Sequence, residues 1–143
     1  MSTPPAQARV TRRFDTSAER VFDAWLDVQR VRRWFGPGLG PVTFVDIDAR
    51  VGGAFCIVQQ RGADDVEHVG SYLEIERPHL LAFTWRVPPS PESSRVSVEI
   101  EGVEGGCELT LLHEMPASAA SLRERVEHGW KTMLDAMASE LHA

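Results

Sequence analysis

The spacing of apolar residues changes twice along the chain, and each change predicts a change of element. Residues 8–14, "ARVTRRF", alternate apolar and polar positions and predict a first strand. In "DTSAERVFDAWLD", residues 15–27, Val21, Phe22, Trp25 and Leu26 fall at i, i+1, i+4 and i+5. That is the stripe of a short helix, with Thr16 or Ser17 as its cap. A second short helix is predicted over residues 27–34. It stops at "WFGPGLGP", where glycine and proline forbid continuation.

From there the period is two. "VTFVDIDAR", "AFCIVQQ", "VEHVGSYLEIER", "HLLAFTWRV", "SRVSVEIEGV" and "CELTLLHEM" read as six successive strands. Their predicted inward faces carry Val69, Ser71, Leu73 and Ile75, then Leu81, Phe83 and Trp85. Val96, Val98 and Ile100 follow, and then Leu109, Leu111 and His113. On the third of these strands Tyr72, Glu74 and Glu76 take the opposite phase and are read as outward. Turns such as "ERPH" and "EGGC" join the strands into an antiparallel meander, and "VPPSPESSR" is read as a hairpin loop.

The period returns to that of a helix over residues 118–141, with Ser118 as candidate cap. Val126, Trp130, Met133, Leu134, Met137 and Leu141 form its apolar face. Gly129 interrupts it, at about 1 kcal/mol relative to alanine. One rationale is a close approach of helix to sheet at Gly129, with Trp130 and the flexible methionines filling wider space beside it. Strands grouped together, with helices at the ends, predict an α+β domain. Its parts are a curved antiparallel sheet of six to seven strands, two short helices, and the long helix packed across the sheet. A twisted sheet around a straight helix leaves a cleft between them.

Composition narrows the functions. The 143 residues suit one domain, with residues 1–7 expected to be disordered. A net charge of −6 argues against a nucleic-acid partner. Arg30, Arg32 and Arg33 are read as a solvated helix face. No apolar run reaches the roughly 20 residues of a membrane span. "MSTPPAQARV" has no secretory apolar core, so a cytoplasmic location is expected. Cys56 and Cys107 lie far apart and, with the histidines, lack metal-ligand spacing, so neither metal nor cofactor is called for. No nucleophile elbow is present.

Six stretches, in order, resemble one family: "FDTSAERVFDAWLD", "RRWFGP", "RVGGAF", "GSYLEIERPHLLAFTW", "ELTLLHEM" and "HGWKTMLDAMASEL". The chain is similar to the AHSA1-like branch of the START/SRPBCC superfamily, the Bet v 1-like or helix-grip fold. The resemblance implies a cavity between sheet and C-terminal helix. Superfamily members commonly bind lipids, sterols, polyketides or aromatics there, and some are polyketide cyclases or aromatases. The branch takes its name from an Hsp90 activator that carries a further N-terminal domain contacting the chaperone. Here only about 7 residues precede the first strand, so no chaperone partner is expected.

The candidate cavity residues are Trp34, Phe35, Leu73, Ile75, Phe83, Trp85, Val98, Leu111, His113, Trp130, Met133 and Met137. His113 could orient a ligand or move a proton, or could be a hydrogen-bonded core histidine. Arg12, in phase with Val10 and Phe14, could meet a ligand carboxylate, an acid such as Glu114, or solvent. No residue is assigned a catalytic role. Three readings remain. A binder of a hydrophobic small molecule needs an apolar cavity of a few hundred Å³ or more. A cyclase- or hydrolase-type enzyme needs two converging inward polar groups. An interaction module needs a filled interior and an exposed apolar patch. Exposed strand edges would also let two copies pair as a homodimer.

Overall fold

The computed structural model describes residues 6–142. The disorder expected for residues 1–7 therefore lies, through residue 5, outside the described residues. Ala6 and Gln7 already belong to the first strand.

Seven strands form one antiparallel sheet. They are β1 (Ala6–Phe14), β2 (Val42–Ile47), β3 (Ala54–Arg61), β4 (Asp64–Glu76), β5 (Leu80–Trp85), β6 (Ser94–Val103) and β7 (Gly106–Met115). Their order is β1-β7-β6-β5-β4-β3-β2, so the meander runs from β2 to β7 and β1 returns to pair with β7. Between β1 and β2 lie two short helices, α1 (Ala18–Ala24) and α2 (Val28–Trp34). The long helix α3 spans Arg123–His142. This is the helix-grip α+β architecture.

The helix starts follow local chemistry. Ser17 caps α1 by accepting from Arg20 N at 3.2 Å, a bond of about 1 kcal/mol. Asp27 caps α2 by accepting from Gln29 N and Arg30 N at 2.9 and 3.2 Å. Ser118 does not cap α3. A short 3-10 helix, Ala117–Leu122, precedes α3, and the Ser118 hydroxyl reaches Glu92 instead.

The inner faces of β5, β6 and β7 follow the predicted alternation. Strand β4 does not. Tyr72 stands opposite Phe83 and Glu74 opposite Ala82, so Leu73 is an extra residue without a partner on β5. This bulge reverses the phase of the strand. Before it His68 and Tyr72 point inward; after it Ile75 does. Leu73 is therefore turned to the outer face, 38% exposed, and is removed from the candidate cavity. Tyr72, read as outward, is 4% exposed and packs inside.

Ion pairs tie the helices down. Arg30 and Arg33 both reach Glu140 on α3, at 3.3 and 2.8 Å, while Arg32 donates to the Val42 carbonyl. The predicted solvated face of α2 thus holds α2 to the last turn of α3. Arg12 pairs with Asp135 of α3 at 2.9 Å rather than with Glu114. These partly exposed pairs are worth at most about 1 kcal/mol each and serve mainly to set the position of α3.

Two glycines test the packing in opposite senses. A Cβ on Gly129 would meet nothing within 4 Å, so no close approach to the sheet requires glycine there. Gly70 lies opposite Phe55, and a Cβ on it would collide with the Thr84 carbonyl oxygen and the Phe55 ring. Gly129→Ala is expected to stabilise the fold by about 0.5–1 kcal/mol in urea denaturation. Gly70→Ala is expected to destabilise it by about 1–3 kcal/mol in the same measurement. A destabilised Gly129→Ala variant would show that the glycine has a structural duty after all.

Candidate functional site

One cleft lies between the concave face of the sheet, the ends of α1 and α2, and α3. All four tryptophans of the chain and its one tyrosine line it: Trp25, Trp34, Trp85, Trp130 and Tyr72. Phe35, Phe55 and Phe83 add further rings, and Val31, Ile47, Ile57 and Leu81 complete the wall. Neighbouring rings pack with centroids 5.0 Å apart for Trp25 and Trp34, 5.5 Å for Trp85 and Trp130, and 5.5 Å for Phe55 and Phe83. Tilted and edge-on contacts at these spacings are the favoured aromatic geometries.

The rings nearly close the space. The cleft measures about 30 Å³, room for about one water molecule rather than an aromatic ring. The expected cavity of a few hundred Å³ is corrected on this point. The reason is volume: large rings from both short helices, three strands and α3 meet at the same place.

Local structure fixes each ring. Trp25 follows the last residue of α1 and Trp34 ends α2. The Trp34 indole donates to the Ala24 carbonyl at 2.9 Å, satisfying an acceptor that the last turn of α1 leaves open. Phe35 opens the glycine-rich loop after α2. That loop is held by the fully buried Gln59, whose Nε2 donates to the carbonyls of Gly36 and Gly40 at 2.8 and 2.9 Å.

His113 links helix to sheet. Trp130 Nε1 donates to His113 Nδ1 at 3.0 Å, which places the imidazole proton on Nε2. Nε2–H then donates to Ser94 Oγ at 2.6 Å, and Ser94 donates to the Trp85 carbonyl at 3.2 Å. Both ring nitrogens are engaged. The residue positions Trp130 and the end of β5 rather than presenting a free base to the cleft. Burial pulls its pKa down to about 4.

His68, which the sequence reading left out, sits at the cleft's edge. Its ring lies 4.8 Å from Phe35 and 5.3 Å from Trp85. Nδ1 donates to the Ile57 carbonyl at 3.2 Å, leaving Nε2 as an acceptor. Burial holds its pKa near 4 as well, outweighing that bond. Burial also raises the Tyr72 phenol far above its ordinary range, so it keeps its proton.

Of the predicted cavity residues, Trp34, Phe35, Phe83, Trp85 and Trp130 come together in the lining. Val98, Leu111 and Met137 are fully buried in the core outside that lining, and Ile75 and Met133 are partly buried and pack against that core. Leu73 is outside, for the reason given above. Trp25, Val31, Ile47, Phe55, Ile57, Tyr72 and Leu81 line the cleft without having been among the predicted cavity residues. Trp25 and Ile57 were legible as apolar positions of predicted elements; Tyr72 was hidden by the bulge.

One polar atom of a lining residue stands apart. Trp25 Nε1 is buried without a hydrogen-bond partner among the described residues, a condition that costs about 1–3 kcal/mol. Among the described residues no group of three His, Cys, Asp or Glu side chains could hold a metal ion, and no helix is long and apolar enough to cross a membrane.

Sheet, helix and aromatic cleft together define a helix-grip protein of the SRPBCC type. Residues 15–142 match the profile of the activator of Hsp90 ATPase homolog 1-like proteins, and the chain belongs to that family. No curated protein matches it in sequence. Among solved structures, protein CV1439 from Chromobacterium violaceum superposes with a TM-score of 0.87 at 23% identity, covering 96% of this chain and 97% of that one. Mll3558 from Rhizobium loti superposes at 0.80 and 27% identity, covering 98% and 99%. An AHSA1-like protein from Aeromonas hydrophila does so at 0.80 and 21%, covering 95% and 92%.

The two buried histidines set a pH dependence. Unfolded, each takes up a proton near pH 6.5; folded, each does so only near pH 4. Below about pH 6.5 the unfolded chain binds more protons, so stability drops as the pH is lowered, by up to about 1.4 kcal/mol per pH unit for each ring, until about pH 4. Above that window their contribution is flat. His113→Gln should remove about half of the slope in urea midpoints measured across the window. An unchanged slope would mean that His113 is not held neutral by burial.

Proposed function

We propose that this protein binds a hydrophobic small molecule of aromatic type in the cleft between the sheet and α3. The observation that carries the reading is the convergence of every tryptophan in the chain on one lining, drawn from the residue after α1, from α2, β5 and α3. An indole buries a large flat apolar surface, and pockets lined by such rings suit a flat apolar ligand. The family's membership in a superfamily that commonly binds hydrophobic molecules supports the same reading.

Binding requires the rings to part, because about 30 Å³ does not admit an aromatic molecule. The segment that follows Phe35 is the element suited to move. Its backbone is pinned mainly through one side chain, Gln59, and its Leu39 is 53% exposed. Chemistry in the cleft has less support. The lining holds no acid, no imidazole and no nucleophile except the Tyr72 phenol, which burial keeps protonated.

A second reading draws on the closed interior itself, which an interaction module would also show. Phe44 on the edge strand β2 and Val51 beyond it are 50% and 63% exposed. They would serve a protein partner or a second copy of the chain.

Native mass spectrometry of the purified protein, followed by denaturing extraction, separates these readings. The expected result is a retained apolar molecule or, for apo protein, saturable quenching of tryptophan emission by naphthalene. Gln59→Ala should speed the approach to saturation by freeing the segment after Phe35. A clean apo mass together with no saturable quenching would overturn the binding reading and favour the second.

A further inference from the structure

The four indoles of the cleft are not equivalent. Trp34 spends its N–H on the Ala24 carbonyl and Trp130 spends its own on His113. Trp25 lies between them, with ring centroids 5.0 Å from Trp34 and 5.9 Å from Trp130. Its Nε1–H is the one buried side-chain polar group among the described residues that has no partner. Trp25 is 5% exposed and lines the cleft. An indole N–H can only donate, so what satisfies it must be an acceptor.

The charge of that acceptor follows from the rest of the wall. No Arg, Lys, Asp or Glu lines the cleft. A carboxylate or phosphate would be buried there without a counter-charge, which is strongly unfavourable. The surrounding walls are flat rings. The geometry points to a neutral, planar aromatic ligand bearing a carbonyl-type oxygen, with Trp25 Nε1–H as the donor that receives it. This assignment rests on the cleft being a ligand site, and it adds the polar group that such a ligand carries. Trp25 is then the specificity-determining residue, and the rings supply affinity without selecting among apolar bodies.

A matched pair of probes tests it: acetophenone and ethylbenzene, which share a ring and differ in one carbonyl. Tryptophan quenching gives both affinities, and the indole region of the ¹H–¹⁵N spectrum shows which N–H responds. On addition of acetophenone the Trp25 N–H resonance should move downfield more than on addition of ethylbenzene. The Trp34 and Trp130 resonances, already bonded, should respond alike to both. In Trp25→Phe, which keeps a ring and loses the donor, the preference for acetophenone should fall about fivefold to tenfold. If both probes bind and the preference is unchanged in W25F, the cleft reading stands and the role of Trp25 is overturned. If neither probe perturbs any indole, the cleft reading fails and this inference falls with it. Should W25F not fold, the wild-type spectrum decides: a Trp25 N–H that responds equally to both probes refutes the assignment.

Discussion

The hydrogen bond from Trp130 on α3 to His113 on β7 is the constraint on which the interior depends. A long amphipathic helix can lie on a curved apolar sheet in many rotations and registers, since apolar contacts are nearly indifferent to sliding. A buried indole and a buried imidazole are not indifferent, because each must find its partner. Once Trp130 meets His113, Ser94 and the end of β5 are drawn into the same chain of bonds. Trp85 and Trp130 then pack against each other at a tilt, with ring centroids 5.5 Å apart. The far end of α3 is held by Glu140 between Arg30 and Arg33, which sets α2 and so Trp34 and Phe35. The cleft is what remains between two anchored ends.

A consequence is that His113 and Trp25 exchange the roles their residue types suggest. Histidine, the usual candidate for chemistry, has both nitrogens committed and holds a neutral state. Tryptophan, the usual filler, keeps the unused donor. Buried polar atoms are informative through what they lack, and among the described residues Trp25 Nε1 is the fully buried side-chain donor without a partner. The near closure of the space fits the same view. Aromatic rings pack readily on one another, and here they leave only about 30 Å³ between them.

Much of the architecture was legible because it rests on period. Val96, Val98 and Ile100 alternate on β6 and lie inward as read, and α3 follows its apolar stripe through Trp130, Leu134, Met137 and Leu141. The resemblance was carried by several motifs in order, and the family match spans nearly the whole chain. The misreadings came where a single residue changes the outcome. The Leu73 bulge leaves no mark in a pattern of alternating residues, yet it carries Leu73 out and Tyr72 in. Gly129 looked like a point of close approach, but closeness is a relation between two elements, and the space beside it is open.

What the sequence by itself determined is the set of elements, their order and the family, because hydrophobic periodicity and capping are local and act within a few residues. Only the tertiary structure decided which rings share one wall, how little room they leave, and which polar atoms find partners. Those are properties of distances between residues far apart in the chain. Trp25 and Trp130 are 5.9 Å apart, and no spacing along the sequence specifies that separation.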